Sequence, residues 1–281
     1  KKNMILIGDS FAEGYGLSKE DMFETFIEET AQINLLNFSS SKDFGILQYY
    51  LIYNNLAKKF EHDGLIFTLF PNNDFRDNDF KFFLDSGLAY SKGRLRYRPY
   101  FKKINNKFEI FYPEKSSKIE EETYSFLKNY FWFSNVLRSI RYFYLSKQIK
   151  LSKPKSAVST DQNSRSHISN YYFATKDQQE ASIFFLQKII SENSEKKIYI
   201  FVIPIYEDYL IIKENDYRKN IYWWKKLKNL DEKHSNFTFV DFYDHADENY
   251  KNFFFPNKCD GHWNKHGQKW AGKIMSNVIQ N

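Results

Sequence analysis

Cysteine, proline and glycine are all scarce: one Cys, six Pro and ten Gly in 281 residues. The single thiol, Cys259, excludes an internal disulfide and a thiolate metal cluster, and it leaves the redox compartment open. So little Pro and Gly argues against a fibrous or disordered chain. No apolar run approaches the length of a bilayer span. No zinc-finger spacing, aromatic RNA-binding signature or Lys/Arg block is present, so a nucleic-acid partner is not expected. No Gly-x-Gly-x-x-Gly or Walker loop follows the first apolar segment, which ranks nucleotide binding last. No secretory leader is visible, and the sequence opens Lys1-Lys2-Asn3 without a Met. The expectation is an upstream segment removed, with the compartment open between bacterial cytoplasm and periplasm.

Aromatic residues are abundant, with 29 Phe and 21 Tyr, and 42% of residues are hydrophobic, enough for a substantial core. The length suits one large domain or one domain carrying a sizeable insertion. The net charge of +6 favours anionic partners in general, but solvated surface lysines are the commoner explanation.

Five short apolar runs have the continuous character of strands covered on both faces: 4–7, 33–38, 65–70, 198–205 and 237–242. Helical patterns separate them. In "SKEDMFETFIEETAQ", Ser18 is the expected N-cap, and Met22, Phe23, Phe26 and Ile27 share one face. "ILQYYLIYNNLAKKF" and "KDQQEASIFFLQKIISEN" are also helical in pattern. Strand–helix alternation predicts an α/β fold on a parallel sheet. It is interrupted between the third and fourth strands by an insertion over about 77–170. That insertion reads as a hairpin turning at Asn105-Asn106, a long aromatic helix over 124–145 and a polar mobile loop. The alternating Arg94, Arg96 and Arg98 would share one face of a strand, solvated or facing an anionic sugar or phosphate. The aromatic helix is expected to pack as a lid or wall, with a peripheral membrane or partner contact as the sharper alternative.

Three short blocks carry chemistry. "MILIGDSF" puts Gly8-Asp9-Ser10 at the carboxyl end of the first strand, the rim where parallel α/β sheets bind ligands. "NKCDGHWNKHG" puts Asp260 two residues before His262 on a loop leading into a last helix at about 265–268. A serine hydroxyl needs a base to take its proton, and a histidine base needs an acceptor to orient it. In "LIFTLFPNNDFRDND" the third strand ends at Phe70 at the same rim, where an asparagine amide could donate to an oxyanion or simply make an Asx turn. The Asp/His pair could also bind metal, but no third ligand stands at a recognisable spacing, and no cofactor is expected.

Taken in order along the chain, these blocks resemble the SGNH hydrolases, the GDSL-like esterases and acyltransferases. The resemblance implies a flavodoxin-like three-layer α/β/α sandwich with a five-stranded parallel sheet and the aromatic-rich insertion between strands 3 and 4. It implies Ser10 as nucleophile, His262 as base and Asp260 as its orienting acid. The Ser10 backbone N–H and the Asn73 side chain would line the oxyanion hole. The expected second-block glycine aligns with Lys42, and Gly45, three residues on, is the other candidate. The usual Gly-x-Asn-Asp reads Pro71-Asn72-Asn73-Asp74. Asp260-Gly261-His262-Trp263 is most similar to the spacing in SGNH-type polysaccharide O-acetyltransferases, which points to a small acyl ester or an O-acylated carbohydrate as substrate. The alternative is a degraded module of the same fold that binds a glycan or lipid.

Overall fold

The computed structural model describes residues 1–41, 44–85, 98–105, 107–113, 170–255 and 261–280. The chain divides into two compact units. Unit 1 comprises Lys1–Ala89, Pro99–Phe111 and His167–Asn281. Of unit 2 only Arg98, Tyr112 and Pro113 are described. The aromatic segment 124–145 and the polar loop expected from the sequence lie outside the described residues, as do Lys42, Arg94, Arg96 and Asp260.

Unit 1 is built on five parallel strands: β1 (Asn3–Ile7), β2 (Asn34–Asn37), β3 (Gly64–Leu69), β6 (Lys197–Val202) and β7 (Phe237–Asp241). Their spatial order is β2-β1-β3-β6-β7. This is the flavodoxin-like order, in which the chain crosses from one side of β1 to the other after β2. The reversal places the carboxyl ends of β1 and β3 at the switch point, where folds of this order bind their ligands. A separate antiparallel hairpin, β4 (Tyr100–Ile104) with β5 (Lys107–Phe111), turns at Asn105, whose φ of 48° is left-handed.

The sheet side chains alternate between two apolar layers, as period-2 geometry requires. Ile5, Ile7, Leu65, Phe67, Ile198, Ile200, Phe237 and Phe239 face one layer. There they meet α3 (Ile46–Asn55), α7 (Lys176–Glu192) and α9 (Tyr222–Lys233), through Leu47, Tyr49, Phe185, Ile189 and Trp223. Met4, Leu6, Ile66, Tyr199 and Phe201 face the other layer, covered by α2 (Phe23–Thr30) and α10 (Lys265–Gln280) through Phe23, Ile27, Ala271 and Met275. The result is a three-layer α/β/α sandwich with strands covered on both faces, which is why they read as unbroken apolar runs.

Two sequence expectations are corrected. Ser18 makes no capping bond; a 3-10 turn, Lys19–Asp21, intervenes and α2 begins at Phe23. The orphan Phe23 N–H is instead satisfied from 245 residues away by Gln268 Oε1, at 2.9 Å. The fourth strand of the sheet ends at Val202, short of the expected 205. Ile203 N–H still reaches Leu69 O at 2.8 Å, and then Pro204, which has no amide hydrogen, ends the pairing. No described helix is long and apolar enough to cross a membrane.

Candidate active site

Ser10 opens a four-residue helix, α1 (Ser10–Glu13), directly after β1. Gly8 makes this turn feasible. A Cβ there would lie 2.0 Å from Thr68 Oγ1 and 2.8 Å from the Ala12 Cβ, so only hydrogen fits between β1, β3 and the returning helix. Asp9 is the N-cap and accepts from Phe11 N–H at 3.0 Å. Gly14, left-handed at φ 73°, ends the helix.

The other end of the chain folds over this rim. Trp263 is fully buried and packs edge-on against Phe11, with ring centroids 5.1 Å apart. Asn264 caps α10, its Oδ1 accepting from His266 and Gly267 N–H. Its Nδ2 donates to the carbonyls of Asn252 and Phe254, and Phe255 N–H donates to His262 O at 2.8 Å. Gln268 then ties both ends together: its Nε2 donates to Phe11 O at 3.0 Å while its Oε1 takes Phe23 N–H. Sequence reasoning missed Gln268 because nothing local marks a helix residue as a long-range cap.

Held this way, His262 Nε2 lies 2.6 Å from Ser10 Oγ, although the two residues are 252 positions apart. That distance suits Oγ–H donating to Nε2. The imidazole is sandwiched near Phe11, at 5.0 Å between centroids, and the half-exposed Tyr15, at 5.1 Å. Among the described residues no group of three or more His, Cys, Asp or Glu is arranged to hold a metal.

The third block sits on the adjacent strand. β3 runs through Phe70 into α4 (Pro71–Asp74), where Pro71 occupies the first helical position that suits a residue without an amide hydrogen. Phe70 packs on Phe11 at 4.5 Å, so the Asn73 and Ser10 turns share one rim. Asp74 is fully buried and accepts from Phe70 N–H at 2.8 Å and Tyr49 Oη at 3.0 Å. Asn78 Oδ1 takes Leu47 N–H at 2.9 Å, fastening α3 to the same segment. The Asn73 amide donates to Asp77 Oδ2 at 3.0 Å.

Gly45 sits differently from its expected role. Its N–H donates to Gln48 Oε1 at 3.0 Å, as part of the start of α3, and so is spent inside the fold. A Cβ there would fall 2.3 Å from Asp74 O and 2.4 Å from Asn78 Nδ2. The glycine is needed for close packing of α3 on α4. Gly45→Ala is expected to destabilise the protein by about 1–3 kcal/mol, measured by denaturant titration.

Buried charge concentrates beside Ser10. Asp9, Asp74 and Asp77 are all buried. Burial, opposed by the Phe11 N–H and reinforced by the charge of Asp77, pushes Asp9 up to about 7 from an ordinary 3.8. Burial first, and then the charge of Asp9, hold Asp74 well above the usual carboxylate range.

No protein-family model and no curated protein matches the sequence. Solved structures do. A G-D-S-L family lipolytic protein from Desulfitobacterium hafniense DCB-2 aligns over 99% of both chains, with 13% identity and a TM-score of 0.50. The lipase/acylhydrolase from Enterococcus faecalis aligns over 100% of this chain and 96% of its own, with 11% identity and a TM-score of 0.48. A carbohydrate esterase family 2 enzyme from Corynascus thermopiles aligns over 99% of this chain and 65% of its own, with 11% identity and a TM-score of 0.48. At these identities the likeness is one of fold: the chain has the SGNH, or G-D-S-L, α/β/α fold.

Proposed function

We propose that the protein is a serine-dependent esterase or O-acyltransferase working through an acyl-enzyme. The reading rests above all on the 2.6 Å approach of His262 Nε2 to Ser10 Oγ at the carboxyl end of β1. Ser10 Oγ attacks the ester carbonyl while His262 takes its proton. The negative charge that develops on the carbonyl oxygen is met by the Ser10 N–H and the Asn73 amide. Gly45 contributes no donor, since its N–H is held by Gln48. Collapse expels the alcohol, which regains its proton from His262. Water, or a sugar hydroxyl, is then deprotonated by the same imidazole and takes the acyl group from Ser10. Asp260, as the orienting acid on His262, completes the triad in this scheme. A small acyl group, acetyl above all, on a carbohydrate is the substrate class, and no cofactor is needed.

A fluorophosphonate probe tests the reading. Stoichiometric labelling is expected, with the adduct on the Ser10 peptide by mass spectrometry and none on Ser10→Ala. Native protein that never labels would favour the alternative, a module of this fold that binds a glycan or lipid without turnover. The short supply of oxyanion donors at Gly45 is the observation on its side.

A further inference from the structure

We infer that Asp77 is a positioning residue that fixes which end of the Asn73 amide meets the substrate oxygen. The inference rests on the esterase reading above and gives a role to a residue that the sequence blocks left without one.

An asparagine amide has a donor end and an acceptor end of nearly equal size. Turned the wrong way, Asn73 would present oxygen to a developing oxyanion and repel it. Asp77 decides the orientation. Its buried Oδ2 accepts from Asn73 Nδ2 at 3.0 Å, and a carboxylate oxygen accepts from the amide nitrogen but repels the amide oxygen, which has no hydrogen to donate. The nitrogen has two hydrogens. One is committed to Asp77, and the other, on the same atom, is left for the substrate. The pair lies one helical turn apart, and Asp77 N–H also donates to Asn73 O at 2.9 Å, so backbone and side chain are fixed together. The surrounding segment is immobilised through Asp74 and Asn78, so Asp77 is not needed to anchor it.

The burial of Asp77 has a cost that points the same way. Its charge is among the causes that raise both Asp9 and Asp74. A neutral side chain would anchor the turn without that repulsion. The carboxylate is the group that holds an amide nitrogen in one orientation.

Removing an oxyanion donor lowers kcat by about 10²–10³-fold. The part of Asp77's effect that runs through that donor is bounded by the same range, and Asp77 Oδ1 also lies 3.9 Å from Arg76 Nε. With p-nitrophenyl acetate, Asp77→Ala is expected to lower kcat by about tenfold or more with KM within about twofold. Asp77→Asn keeps the shape but can turn a donor or an acceptor toward Asn73, so it is expected to keep most of the loss. In an Asn73→Ala background, Asp77→Ala should change kcat by less than about twofold, because the group it positions is gone. The same factor in both backgrounds would overturn the proposal, as would an unchanged kcat. If Asp77→Ala fails to fold, Asp77→Asn in the two backgrounds makes the same comparison. A full rate in Asn73→Ala beside inactive Ser10→Ala would overturn this inference alone. A full rate in Ser10→Ala would overturn the esterase reading, and this inference with it.

Discussion

Ser10→Ala is expected to lower kcat for p-nitrophenyl acetate by about 10⁴–10⁶-fold while leaving the fold intact, and His262→Ala to fall in the same range. The two losses should not multiply. A nucleophile without its base and a base without its nucleophile are disabled in the same step, so the double variant should match either single one. Structure should survive because Ser10 is only partly buried at the start of a four-residue helix whose cap is Asp9 and whose end is Gly14. The His262 loop is held by Trp263, Asn264 and Gln268 in addition to the ring contacts of the imidazole. Near-UV circular dichroism and melting temperature of each variant should therefore follow wild type. Equal rates in all three proteins would mean that the dyad does not turn over this ester. Fluorophosphonate labelling then separates a refused substrate from an inert serine.

Much of this was legible in the sequence because the signals are local. Apolar runs such as "MILI" and "LIFTLF" read as buried strands since both faces of each are covered, and every side chain in them except Thr68 is apolar. Gly8-Asp9-Ser10 and His262 each sit at an element boundary that turn chemistry marks. What the sequence concealed is long-range satisfaction of backbone groups. The start of α2 was misplaced because its first N–H is capped by Gln268 from the last helix, not by Ser18. Gly45 was ambiguous for a different reason. A glycine is required equally where an N–H must approach a substrate and where two helices touch, and here Asp74 O and Asn78 occupy the space. Asp77 lay beyond the Asn-Asp block and carried no signal, since its partner is identified only once α4 has formed. Asp260, the acid of the expected triad, is outside the described residues and stands as a proposal.

The second large effect is on stability, and it depends on pH. Burial and the charge of Asp77 lift Asp9 to about 7, whereas the unfolded chain titrates it near 3.8. Below the lower value both states are protonated and folding bears no penalty. As pH rises between the two values, the unfolded chain ionises while the folded protein keeps its proton, so stability falls. Above about 7 both are ionised and the deficit is constant. At about 1.36 kcal/mol per pH unit over that interval, wild type loses up to roughly 4 kcal/mol between pH 4 and pH 8 through this one residue. Asp9→Asn cannot ionise. Its Oδ1 can still accept from Phe11 N–H, so the cap is kept. Its amide nitrogen replaces Oδ2, a buried atom with no hydrogen-bond partner, and the cost of burying it does not vary with pH. Unfolding by urea at pH 4 and pH 8 isolates the titration, because that constant offset cancels in the difference between the two conditions. The variant should gain several kcal/mol on wild type in going from pH 4 to pH 8. Parallel stability curves for the two proteins would show that Asp9 is already ionised in the folded state at low pH, and that the three buried carboxylates beneath Ser10 share their charge in some other way.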